Sequence, residues 1–93
     1  MNLTVTEEIA NWYKEELNIQ SSTYIRFFPR YGFGGHIPGF SIGISQDTPE
    51  DIFVKTKVKN IIFYIEKKDA WYFEGVNLHV TYDEKLKEPK YSY

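Results

Sequence analysis

The chain has 93 residues, a length that fits one domain, and its 42% apolar and 18% aromatic content argues for a packed core and against disorder. A formal net charge of −2 offers no general attraction to nucleic acid or to an anionic membrane. Cysteine is absent, which excludes disulfides, Cys-ligated zinc, thiolate nucleophiles and all-cysteine iron–sulfur ligation within the chain.

No basic region followed by an apolar one opens the sequence, and the longest apolar run, Ile61 to Ile65, is far shorter than a membrane span. The expectation is a cytoplasmic protein. Thr4, Val5, Thr6 and Glu7 fit a capping box, with Thr4 as the N-cap. Val5, Ile9, Trp12, Tyr13 and Leu17 then recur every three or four residues, which predicts an amphipathic helix over residues 5–17 stopped at Asn18. From Thr23 to Arg30 the β-formers dominate. Ile25 and Phe27 share one face, while Arg26, Phe28 and Arg30 share the other. Pro29 marks an edge, a bulge or the strand's end.

Five of the six glycines fall between Arg30 and Ile44. Glycine takes positive φ freely and lets other atoms approach the backbone, so this stretch reads as a shaped loop between strands. Phe40, Ile42 and Ile44 alternate with polar or small residues in a half-buried strand. Asp47 to Asp51 is a turn, Ile52 to Val58 another alternating strand, and Ile61 to Ile65 a central strand covered on both faces. Lys67 to Glu74 reads as a short helical turn closed by Gly75, and Val76 to Tyr82 as the last strand. Residues 84–93 are charged and contain Pro89, which predicts a loosely ordered tail after a single domain over 1–83. Short connections favour antiparallel pairing. The fold class is therefore α+β: an N-terminal helix packed on a mostly antiparallel, curved sheet system, as a sandwich or pseudo-barrel, with a short helical insertion before the last strand.

Several weak motifs in this order resemble the HesB-like family, whose best-known members are the A-type iron–sulfur cluster carriers. They are the helix start from Leu3 to Ala10, the run Tyr24 to Gly32, then Gly34-Gly35 and Gly39 to Gly43, the strand Ile61 to Ile65, the turn Trp71 to Gly75, and Leu78 to Asp83. The resemblance covers roughly residues 3 to 83. It departs where the carriers place their ligands. His36 stands after Gly34-Gly35 where a cysteine is expected, and the C-terminal C-G-C is missing. The resemblance therefore implies a cysteine-free branch that keeps the scaffold without its cluster ligands.

Each candidate site has a plainer alternative. His36 could ligate a metal or make a polar contact at the loop mouth, but a solvent-exposed loop histidine is preferred, because one imidazole does not make a metal site. His79, the other histidine, falls on the polar face of a strand. The Gly32–Gly39 loop could cradle an anion with backbone N–H groups, yet a strand follows where a phosphate loop has a helix, so turn geometry is preferred for most of its glycines. Arg26 and Arg30 could receive an anion, or form a solvated basic face. Asp47, Glu50 and Asp51 read as a capped turn. Tyr31, Phe33, Phe40, Trp71, Tyr72 and Phe73 read as packing. However, three consecutive aromatics cannot all be buried, and an exposed one points to a protein contact.

The resulting expectation is a non-enzymatic HesB-like auxiliary or protein-interaction module related to iron–sulfur cluster biogenesis. It needs no cofactor and binds a protein partner, with that assembly pathway as the implied source. The candidate contact residues are Gly34, Gly35, His36, Arg26, Arg30 and Tyr31. The alternative is a metal- or small-ligand-binding protein that uses His36 and nearby polar residues, within one chain or across a homodimer. No nucleophile–base pair or paired carboxylates mark an enzyme.

Overall fold

Two β-sheets and one helix enclose the core of the structure, a computed structural model describing residues 1–93. In chain order the elements are β1 (Leu3–Val5), α1 (Glu7–Glu16), β2 (Thr23–Tyr31), β3 (Phe40–Ser45), β4 (Ile52–Val58), β5 (Ile61–Glu66), a 3₁₀ helix (Lys67–Phe73), β6 (Leu78–Asp83) and β7 (Glu88–Ser92). One sheet has the order β3-β2-β5-β4 and the other β1-β6-β7. The pairs β2–β3, β4–β5 and β6–β7 are antiparallel, while β2–β5 and β1–β6 are parallel. The α+β class holds, and both sheets are mixed.

The four-stranded sheet follows from the alternation in its strands. Ile25 and Phe27 on β2 point inward and are fully buried, as are Phe63 and Ile65 on the central β5. Phe27 and Phe63 stack with ring centroids 5.7 Å apart. Burying each such side chain contributes about 1.5–3 kcal/mol. β5 pairs β2 only over Thr23 to Arg26, so Pro29 lies where β2 has β3 as its sole neighbour. A residue without an N–H is tolerated at such an edge.

Two expectations are corrected at the chain's ends. The helix starts later than residue 5: Thr6, not Thr4, is the N-cap, and its hydroxyl accepts from the Ile9 N–H at 3.3 Å. Leu3 and Val5 are buried in β1, in parallel register with Leu78 and Val80. Thr4, Val5 and Thr6 are β-branched and suit a strand, and either threonine can cap. The helix ends as read, with Asn18 at φ 52. Residues 84–93 are not a loose tail. Lys87 takes φ 55 in a tight turn, and β7 returns antiparallel along β6. Tyr91 on β7 meets the Phe27 ring edge-on at 6.0 Å. One half-buried aromatic alternating with charged residues outweighs the polar composition of the segment.

Candidate functional site

The glycine loop leaves β2 and turns back into β3 under tight restraint. The Gly32 N–H donates to the Gly39 carbonyl at 3.1 Å, Gly35 N–H to the Phe40 carbonyl at 3.0 Å, and Phe40 N–H to the Ile37 carbonyl at 3.2 Å. Gly34 and Gly39 take φ of 95° and 87°, where side chains are strained. Gly35 is required for a different reason: a Cβ there would overlap the Tyr72 hydroxyl and the Phe40 carbonyl.

His36 is not the exposed loop histidine expected. Its ring lies 4.5 Å from that of Tyr72 and 4.4 Å from that of Tyr93. Its Nδ1 and the Tyr72 hydroxyl are buried without hydrogen-bond partners. Burial, with the Tyr72 hydroxyl beside it, pushes the Tyr93 phenol well above its ordinary value. The loop is thus pinned from below by an imidazole between two phenols.

The two arginines part company. On Arg26, Nε and Nη2 donate to the same Asp69 oxygen at 3.1 and 2.7 Å, Asp47 lies 3.7 Å away, and the guanidinium stands 4.9 Å above the Phe28 ring. Its charge is engaged within the fold, and neighbouring Asp69 and Asp47 hold its pKa above the ordinary value despite partial burial. Arg30 is exposed at the groove beside the loop, its Nε 3.4 Å from the Ser41 hydroxyl.

The aromatics also separate. Tyr72 and Phe73 are buried, whereas Trp71 is 50% exposed. Tyr31, a candidate contact residue, and Phe33, read as packing, are 89% and 97% exposed. Tyr31 stacks on Phe40 at 5.4 Å, and Phe40 meets Trp71 edge-on at 5.4 Å. An aromatic strip therefore runs across the surface from the glycine loop to the 3₁₀ helix. Exposed rings grouped in this way form the kind of surface that protein contacts cover. Nothing in the sequence pattern separated Phe33 from core aromatics, whereas the consecutive run at 71–73 did signal an exposed ring.

The titratable groups do not assemble into a catalytic or metal set. His79 is bonded to the Thr4 hydroxyl on the neighbouring β1, in a sheet separate from the loop. The buried Glu66 carboxylate accepts the N–H groups of Glu50 and Asp51 at 3.2–3.3 Å, which caps the acidic turn as expected. No three His, Asp or Glu side chains converge where a metal ion could be held.

No known family model matches the chain. It is 43% identical to a Bacillus subtilis protein named pyruvate dehydrogenase inhibitor, over 100% of this chain and 99% of that protein. It is 30% identical to an uncharacterised Staphylococcus saprophyticus protein over 99% of this chain and 98% of that one, and 29% identical to a Staphylococcus aureus counterpart over the same shares. These relatives overturn the HesB-like resemblance and the role in iron–sulfur cluster biogenesis drawn from it. The resemblance rested on glycines and apolar positions that any tight loop between two packed strands demands, while the carriers' thiolates were missing. The alternative of metal binding through His36 is likewise unsupported, since its ring is engaged by two tyrosines instead of other ligands.

Proposed function

The chain belongs to the family of the Bacillus subtilis pyruvate dehydrogenase inhibitor, and from that premise we propose that it inhibits pyruvate dehydrogenase by binding it, as a non-enzymatic regulator. The observation that supports binding is the strip Tyr31, Phe40 and Trp71, with Phe33 almost fully exposed on the adjoining loop. Exposed rings set on strands, on a 3₁₀ helix and on a hydrogen-bonded loop lose little conformational freedom when covered, which is how binding hot spots are built. The partner in this reading is pyruvate dehydrogenase and no component of iron–sulfur assembly.

The test is pyruvate-dependent turnover by purified pyruvate dehydrogenase complex, titrated with the protein. Inhibition that saturates at a fixed stoichiometry is expected. Phe33→Ala and Tyr31→Ala are expected to weaken it by at least about tenfold each, about 1.4 kcal/mol or more, with an unchanged melting temperature. Undiminished turnover in a large excess of folded protein overturns the proposal.

A further inference from the structure

A groove of about 470 Å³ opens between β3 and β7, floored by Trp12 and Tyr13 and ended by Phe33 and Gly34 of the glycine loop. β1 lies against β4 on one side of the two sheets, so this groove is where the sheets part. Both of its walls are sheet-edge strands.

The prolines fix which backbone groups face it. Pro29 opposes Ile42. Lacking an N–H, Pro29 cannot belong to a pair that exchanges two hydrogen bonds, so the bonded pairs are Arg30–Ser41, Phe28–Gly43 and Arg26–Ser45. Phe40, Ile42 and Ile44 must then direct their N–H and C=O away from β2. The glycine loop confirms the phase, since it satisfies both outward groups of Phe40 through Ile37 and Gly35. Ile42 and Ile44 have no such cover. On the other wall, Pro89 opposes Tyr82, and the same reasoning turns the Pro89 carbonyl and the Tyr91 N–H and C=O outward.

We propose that this groove receives an extended segment of a partner protein by strand addition to β3, pairing with the outward N–H and C=O groups of Ile42 and Ile44. The proposal rests on the reading that the protein acts by binding another protein. Strand addition draws its affinity from main-chain hydrogen bonds and its selectivity from alternate side chains. Here the alternate positions meet Trp12 and Tyr13, and the groove is lined by Arg30, reaching from β2 over Gly43, and by Glu88 on β7. The matching segment alternates apolar residues and presents an acidic side chain toward Arg30 and a basic one toward Glu88. A second copy of the chain is a poorer occupant. Its own β3, Phe40–Ser45, carries no acidic or basic side chain to meet Arg30 and Glu88.

The test is amide exchange followed by NMR, with a synthetic capped peptide of about six residues as the probe. It alternates valine and threonine between a glutamate and a lysine. In the free protein, the amides of Ile42 and Ile44 are expected to exchange quickly and those of Ser41, Gly43 and Ser45 slowly. Millimolar peptide is expected to slow Ile42 and Ile44 by at least about tenfold. Ile44→Pro removes one outward donor without touching the β2 ladder and is expected to abolish the effect, with Ile44→Val as the control that keeps it. Unchanged exchange at both amides overturns the proposal, as does protection that grows with the protein's own concentration in the absence of peptide. Pyruvate dehydrogenase is then added in place of the peptide. Inhibition with both amides still exchanging freely overturns strand addition and leaves the inhibitor reading standing. Protection by peptide without any inhibition supports the edge site and removes the inhibitor reading.

Discussion

The hydroxyl of Tyr13 on the helix lies 2.8 Å from the hydroxyl of Tyr91 on the last strand, across 78 residues of chain. Tyr13 is buried, and each phenol is the other's hydrogen-bond partner. Tyr91→Phe strands a buried hydroxyl and is expected to cost about 1–3 kcal/mol. The double replacement with Tyr13→Phe is expected to recover most of that loss, because both polar groups then leave together. Urea denaturation of the two single variants and the double one measures the cycle, and strictly additive losses refute the coupling.

Gly35 and Gly34 are adjacent but constrained differently. Gly35→Ala drives a methyl into the Tyr72 hydroxyl and the Phe40 carbonyl. Gly34→Ala meets open space and suffers only its φ of 95°. The first is expected to cost about 2–3 kcal/mol and the second about 1 kcal/mol. Only Gly35→Ala lifts the loop off Tyr72, so inhibition is expected to fall with Gly35→Ala and to persist with Gly34→Ala. Melting curves and pyruvate dehydrogenase turnover give the two readings.

Asp69→Asn leaves the half-buried Arg26 guanidinium without its short charged contact at 2.7 Å. Partial exposure lowers the penalty below that of a fully buried pair, so the expected loss is about 1–3 kcal/mol. Arg26→Lys keeps the charge but cannot place two donors on one oxygen, and about 1 kcal/mol is expected. A lysine variant as stable as the parent contradicts the two-donor geometry.

Alkali is expected to unfold the protein. Burial, aided by Glu66 and Asp47, pushes the Tyr64 phenol up to about 12, and burial raises Tyr13 and Tyr91 as well. A phenol that ionises later in the folded state than in the unfolded one gives stability that is complete below about pH 10 and lost as pH rises from there through the folded value. Melting temperature should therefore be level near about pH 8–9 and fall steeply toward pH 12, together with tyrosinate absorbance. Tyr13→Phe combined with Tyr91→Phe is expected to make that fall shallower.

The strands from Thr23 to Val58 were legible because each alternates over five or more residues, Ile61–Ile65 because it is a short continuous apolar run, and the turn at Gly75 because glycine closes it at φ 77. β1 was not, since three residues carry no periodicity and its partner lies at the far end of the chain. β7 was hidden by Pro89 and its charged neighbours, although Tyr91 alone supplies the inward contact. At the site, Trp71 could be expected outside because Tyr72 and Phe73 compete for the same interior. The Arg26–Asp69 pair spans 43 residues and leaves no local trace. The exposure of Phe33 depends on how far the loop projects, which glycine content does not encode.

β6 is flanked by β1 on one side and β7 on the other. Thr4 faces His79 across 75 positions. As the chain emerges from the ribosome, β1 therefore has no strand to pair with until nearly all the rest has been made. The four-stranded sheet can form early, from residues 23–66, while Leu3 and Val5 wait unpaired. Its slow step is then the docking of the first-made strand onto one of the last, a distant closure that local helix or hairpin formation cannot hasten.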